Sequence, residues 1–393
     1  MTAASALDVE RVARVLGEVV PAGAALHEPE FAGNEWTYVK DCLDTGWVSS
    51  AGAYVDRFEH MLAEFTGAGH AVATVNGTAA LHACLVLAGT EPGDEVIVPA
   101  LTFVATANAG SYCGAHPHFA DSEARTLGLD PAKLEAHLDD VAEAGDGGCR
   151  NTLTGRPIRA VICMHTFGHP VDLDPLAELC ARFGLTLIED AAESLGSYYK
   201  GRHTGLWGRM SILSFNGNKT VTTGGGGAIL TNDAQLAEAA RHLTTTARQP
   251  HRWECAHDRV GYNYRLPNIN AAMGCAQLEQ LPGFLERKRR LAETYRTALA
   301  GAEGLRFFTE PDFARSNYWL NAVLLDPGLA DRRDAVLAAC DDGGITARPA
   351  WTPMHRLKMY EHCPRMDLGT AEDLYRRLIA LPSSPRLAAP AHG

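Results

Sequence analysis

Lysine, aromatic residues and positive charge are all scarce in this 393-residue sequence. Six lysines occur: Lys40, Lys133, Lys200, Lys219, Lys288 and Lys358. Aromatics make up 7%, and 47 acidic against 35 basic side chains leave a net charge of −12. That balance excludes a broad nucleic-acid surface, because neutralising a phosphate backbone needs clustered Lys and Arg. It leaves room for a local pocket that holds one phosphate. The ten cysteines show no CxxC spacing, which argues against a zinc ribbon or a disulfide framework. Cys42, Cys84, Cys113, Cys163, Cys275 and Cys340 are among them, and several sit in apolar stretches, where a reduced thiol behaves as a small hydrophobe. No apolar run reaches the length of a membrane helix. Residues 1–6 lack the basic region and apolar core of a secretion signal, so the cytoplasm is the expected compartment.

Several motifs are missing as well. No GxGxxG follows a strand and no Walker loop is present, which disfavours a nicotinamide oxidoreductase and a P-loop enzyme. There is no GxSxG elbow. His165 and His169 have HxxxH spacing, but Gly168 and Pro170 break the helix that a metal pair would need, so no metal is expected.

What is present is an alternating pattern. Residues 8–20 carry Val9, Val12, Leu16 and Val19 at helical spacing, stopped by Pro21. Beyond them, β-rich runs over 71–75, 95–99, 160–164, 185–189, 212–215 and 228–230 alternate with helical stretches over 78–87, 102–113 and 173–183. This implies βαβ units and a mostly parallel sheet covered by helices. The Gly-rich stretch 143–156 reads as a surface loop or hairpin. A long charged helix over 281–299 links to a second unit with a strand over 317–325, a helix over 331–340 and a strand over 345–351. The boundary is placed there, giving a large domain of residues 1–285 with the N-terminal helix, and a small C-terminal α/β domain of 286–393.

Three segments carry chemistry. In Ser214-Phe-Asn-Gly-Asn-Lys219, followed by Thr-Val-Thr-Thr and four glycines, Lys219 follows an apolar strand and precedes a run that lets backbone approach closely. The other five lysines fall where surface cations are unremarkable. An enclosed lysine suits covalent bonding to a carbonyl; a turn lysine ahead of a flexible loop gives the same pattern. In Leu187-Ile-Glu-Asp190-Ala-Ala-Glu193, an acidic pair ends a buried strand, where open parallel sheets bind ligands. Asp190 there suits the protonated ring nitrogen of pyridoxal phosphate, or equally the N-cap of a following helix. Val75-Asn-Gly77-Thr78-Ala79-Ala80 reads as strand, turn and helix start, with amides and a hydroxyl for a phosphate.

Together these motifs resemble the DegT/DnrJ/StrS family of sugar-nucleotide aminotransferases. The likeness runs from Gly46 to Pro385. It includes Gly46-Trp-Val-Ser-Ser50 with Phe58-Glu59, Asn76-Gly-Thr-Ala79, Pro99-Ala-Leu-Thr-Phe-Val-Ala-Thr106 and Gly261-Tyr-Asn-Tyr-Arg265. The resemblance implies the α/β fold-type I architecture of pyridoxal-phosphate-dependent transferases, with a mostly parallel seven-stranded sheet in the large domain. It implies that Lys219 is the Schiff-base lysine and proton shuttle, that Asp190 partners the ring nitrogen, and that Phe103 stacks on the ring. Gly77, Thr78, Ala79 and Ser214 match phosphate-side positions, and Glu193 falls near the ring hydroxyl. Asn263 matches an asparagine that reaches the neighbouring subunit's phosphate, which implies a homodimer with shared sites. Ser49, Tyr264 and Arg265 stand as substrate-side candidates.

Asn216 and Gly225 depart from the family pattern, where His and Glu are common. The implied reaction aminates a nucleotide-linked keto sugar, with glutamate as expected donor. The variant run after Lys219, with Thr166-Phe-Gly-His-Pro170 and Tyr318-Trp-Leu320, resembles a branch acting on UDP-4-keto-6-deoxy-N-acetylhexosamines of legionaminic-acid and bacillosamine type. A sugar dehydratase of the same fold is the alternative enzyme, but there a histidine replaces the lysine. A sugar-nucleotide-binding regulator is the non-catalytic alternative.

Overall fold

The computed structural model describes residues 7–145 and 148–388. Residues 1–6, read above for a leader, and the 146–147 tip of the Gly-rich stretch lie outside the described residues.

The chain opens with α1 (Val9–Val19), whose N-cap Asp8 accepts from Arg11 N, then α2 (Glu35–Thr45) and α3 (Ala53–Thr66). There follow β1 (His70–Thr74), α4 (Gly77–Leu87), β2 (Glu95–Pro99), α5 (Val104–Tyr112) and β3 (His116–Ala120). Next come α6 (Pro131–Val141), the hairpin β4 (Ala142–Gly145) and β5 (Gly148–Asn151), β6 (Pro157–Met164), α7 (Leu173–Phe183) and β7 (Thr186–Asp190). After short β8 (Tyr198–Tyr199) and β9 (Arg202–His203) come β10 (Met210–Ser214), β11 (Gly227–Thr231), α8 (Ala234–Thr244) and α9 (Asn268–Ala298). The last part holds β12 (Leu305–Phe307), β13 (Ala314–Arg315), β14 (Asn321–Leu325), α10 (Arg333–Asp342), β15 (Arg348–Pro349), α11 (Gly369–Arg377) and β16 (Leu378–Leu381).

The large sheet runs β1-β11-β10-β7-β6-β2-β3, with the β4–β5 hairpin attached through β5 to β6. The seven-strand path is the expected one; the hairpin extends the sheet to nine strands. β10, β7, β6, β2 and β3 are parallel, and β11 is antiparallel to both neighbours. β3, which the sequence pattern did not reveal, tolerates Pro117 because it lies at the sheet edge.

A second sheet, β12-β14-β16-β15, lies beyond α9. α9 is one helix of 31 residues that continues through Pro282, where the sequence pattern suggested a start. The N-terminal helix, expected with the large unit, shares one apolar cluster with α9, α10 and this second sheet, in which Val12 and Leu16 are grouped with Leu291, Tyr295, Val336 and Ile379. The strand expected over 317–325 begins only at Asn321, because Asn317 just before it bonds to main chain of the large unit. The strand expected over 345–351 shrinks to Arg348 and Pro349. Among the described residues no helix is long and apolar enough to cross a membrane. All ten cysteines are unpaired, as expected.

Candidate active site

The carboxyl ends of β1, β2, β6, β7 and β10 open on one edge of the large sheet, the position where such sheets bind ligands. A cavity of about 260 Å³ lies there, lined by Asn76, Gly77, Thr78, Phe103, Asp190, Glu193, Ser214, Asn216 and Lys219 among others.

One wall is the start of α4. Asn76 caps the helix, its Oδ1 accepting from Ala79 N at 2.7 Å. The amides of Gly77 and Thr78, in the first turn, have no intrahelical acceptor. The Ala79 amide, unlike these two, is engaged by Asn76. Gly77 lets this helix lie against the end of β10, because a Cβ there would come within 3.0 Å of Ser214 Cβ and 3.3 Å of its Oγ. Gly227, the last of the glycine run after Lys219, has a similar reason. A Cβ on Gly227 would meet the Asn76 carbonyl carbon at 2.5 Å, so the close approach is to protein backbone.

The floor is acidic and buried. Asp190 ends β7, its Oδ2 accepting from Thr106 Oγ1 at 2.8 Å and its Oδ1 from Ala192 N at 3.2 Å. No helix follows β7, which removes the capping alternative for Asp190. Burial raises the Asp190 pKa; the bonds from Thr106 and Ala192 and the charge of Lys219 pull the other way. Its sequence neighbour Glu189 organises the following loop instead, accepting from the amides of Gly205, Trp207 and Gly208 and bonding to His165 at 3.1 Å. His169 packs between Phe308 and Tyr318. Among the described residues no group of side chains forms a metal site.

Lys219 Nζ lies 3.2 Å from Glu193 Oε1 and 3.9 Å from the centre of the Trp319 ring. Glu193 also accepts from Phe167 N at 2.9 Å, and burial pushes its pKa up to about 7 against the pull of Lys219. Phe103 stands half-exposed at the cavity, its ring 6.5 Å from that of Trp351, and Trp351 meets Phe167 at 5.1 Å. The sequence reading gave no site role to Thr106 or Trp319, which it quoted only within motifs, or to Trp351. Thr106 was findable, since Thr102 and Thr106 stand four apart and bond at 2.9 Å. The two tryptophans come from distant chain.

Other anticipated residues lie away from this cavity. Arg265 is buried against Glu59 at 2.7 Å and donates to Ala73 O. Tyr264 Oη bonds to His82 Nδ1 at 3.2 Å. Ser49 is exposed and its carbonyl accepts from Asn268 N. Asn263 is also exposed, in a bridge with Thr245. Lys288, which the sequence pattern places among surface cations, is fully buried.

A buried carboxylate, an amine and a helix start with free amides, gathered at the carboxyl edge of a mostly parallel sheet, fit pyridoxal phosphate, and the fold is that of fold-type I transferases. The sequence matches the model of the DegT/DnrJ/EryC1/StrS aminotransferase family over residues 29–391, and the chain belongs to that family. It is 42% identical over 349 residues to a GDP-perosamine synthase of Caulobacter vibrioides, covering 88% of each chain. Among solved structures, the aminotransferase TlmJ from Streptoalloteichus hindustanus superposes with a TM-score of 0.82 at 30% identity, covering 92% of this chain and 93% of that one. DesI, determined in the presence of its TDP-sugar product, gives 0.79 at 30% identity, covering 92% and 89%. The protein is a pyridoxal-phosphate-dependent sugar aminotransferase.

Proposed function

We propose that the chain aminates the keto group of a hexose carried on a nucleoside diphosphate, with glutamate as donor and with two chains completing each other's sites. The observation that carries this reading is the placement of Lys219 and Asp190 in one cavity with the start of α4. When bound, pyridoxal phosphate supplies the electron-accepting ring that lets an amino group pass between substrates. The Gly77 and Thr78 amides, with the hydroxyls of Thr78 and Ser214, would hold its phosphate. Asp190, buried and fixed by two donors, would hold a proton at the ring nitrogen. Phe103 would supply an aromatic surface for the ring. Lys219 would hold the cofactor through its amine and, when that amine is free, would carry a proton at Nζ. Glu193 holds that amine in place at 3.2 Å.

For the nucleotide, the named products of the relatives above favour a GDP- or TDP-linked sugar over the UDP-linked N-acetyl sugar that the sequence suggested. For the dimer, support comes from Asn263, which lies outside its own chain's cavity, and from Trp36, Leu43 and Trp47, all more than half exposed on and after α2. Apolar groups gathered in this way support a surface that another chain covers. The unpaired cysteines suit a reducing cytoplasm.

The test is incubation with glutamate and a panel of GDP-, TDP- and UDP-linked 4-keto-6-deoxyhexoses, with and without an N-acetyl group. The aminated product is identified by mass. Turnover of none, with an intact visible cofactor band, would refute the sugar assignment.

A further inference from the structure

Lys219 has two close neighbours, and only one of them has been given a role. The second is the face of Trp319, 3.9 Å from Nζ. Trp319 is itself held at three points. Its amide donates to Asn317 Oδ1 at 2.7 Å, its indole N–H donates to Asn218 O at 2.9 Å, and its carbonyl accepts from Lys288 Nζ at 3.2 Å. Asn218 immediately precedes Lys219, so the indole grips both the main chain beside the lysine and the amine at its tip. Asn317 in turn donates through Nδ2 to the carbonyls of Glu193 and Leu195, each at 2.9 Å. Residues 316–320 therefore form a strap that holds both members of the Lys219–Glu193 pair.

Behind the strap stands Lys288 on α9. It is fully buried and donates to Trp319 O and, at 2.6 Å, to Ser383 O; among the described residues no carboxylate pairs with it. Burial holds its pKa well below the ordinary lysine range, so it serves as a hydrogen-bond donor to two carbonyls and ties the strap to the segment after β16.

We propose that Trp319 is a positioning residue for Lys219, its ring holding the ammonium whenever that amine is not covalently bonded, and that Lys288 fixes the ring by its main-chain carbonyl. The inference rests on the assignment of Lys219 made above. A cation over a desolvated indole face is stabilised, and tryptophan does this better than phenylalanine. The amine gives up that contact when it bonds to an aldehyde. The ring thus opposes covalent capture of pyridoxal phosphate, while leaving the binding of pyridoxamine phosphate, which keeps the lysine free, unaffected.

The experiment titrates the full chain, freed of cofactor, with each of the two cofactor forms. In Trp319→Leu the ratio of the aldehyde to the amine dissociation constant should fall by roughly two- to thirty-fold. Trp319→Phe should give a smaller fall, and Lys288→Met a fall of the same sign. A merely structural role weakens both forms alike and leaves the ratio unchanged, which would overturn the proposal. Should the leucine variant fail to fold, the phenylalanine variant decides on the same ratio. Lys219→Ala separates the two readings: if it still forms the covalent visible band, the assignment of Lys219 fails; if it does not, adding Trp319→Phe to it must leave the ratio unmoved. A ratio that moves in that double variant would also overturn the proposal.

Discussion

Gly77→Ala tests the phosphate site at its tightest point. The added methyl would stand 3.0 Å from Ser214 Cβ, 3.3 Å from Ser214 Oγ and 3.4 Å from Leu213 O. Ordinary carbon contacts begin near 3.5 Å. The start of α4 must therefore retreat from the end of β10 by a few tenths of an ångström, or Ser214 must shift. Overpacking of this kind costs about 1–3 kcal/mol. Alanine returns up to about 1 kcal/mol in helix propensity, less in a first turn. Folding stability should consequently fall by roughly 0–3 kcal/mol. The phosphate loses as well, since donors on both sides of the gap are needed at hydrogen-bond distance. Losing one charge-assisted bond, about 1.5–3 kcal/mol, weakens affinity by about ten- to a hundred-fold. Visible-absorbance titration of the cofactor-free chain reads the affinity, and urea unfolding in parallel reads the fold. A variant that binds pyridoxal phosphate within about two-fold of wild type would refute a phosphate held between α4 and β10.

Three further outcomes are expected. Asp190→Asn should retain the cofactor but lower kcat by orders of magnitude, measured at saturating substrate, because a neutral amide does not keep the ring nitrogen protonated. Glu193 has a folded pKa of about 7, above its ordinary 4.5, so its contribution to stability is full at low pH and is lost as pH rises through 7. Urea unfolding of the cofactor-free chain should show a decline on the order of 1–3 kcal/mol between about pH 5 and 8 that Glu193→Gln abolishes; an unchanged slope would contradict a buried, protonated Glu193. Asn263→Ala should bind cofactor about ten-fold more weakly, yet mixing it with inactive Lys219→Ala should restore part of the activity. In one class of mixed dimer a single site has both Lys219 and the partner's intact residue; no recovery after confirmed subunit exchange would refute shared sites.

Which parts of this arrangement were legible in the sequence follows from the range of the interactions. Strand and helix identities over 70–231 rest on local periodicity, and Glu95–Pro99 and Leu173–Phe183 match the expected bounds residue for residue. Lys219 stood out by a local contrast, an amine between an apolar strand and glycines. The misreadings share a different cause. Lys288 sits in Glu286-Arg-Lys-Arg-Arg290, which looks like a solvated helix face, yet its acceptors are carbonyls at Trp319 and Ser383. Residues 317–320 look like a strand, but Asn317 bonds to carbonyls 124 and 122 positions away. In each case a polar side chain satisfies main chain far off in sequence, and no periodicity records such a bond.

The same contrast explains how charge is distributed around the cavity. Asp190, Glu193 and Lys288 are all buried, and each is favoured in its neutral form by desolvation. Asp190 and Glu193 line the cavity, where hydrogen bonds and the charge of Lys219 favour their charged forms. Lys288 stands behind it, donating to the carbonyls of Trp319 and Ser383. Burial thus disfavours charge on all three groups; the charge of Lys219 offsets this at both carboxyl groups, while Lys288 is held by main-chain carbonyls.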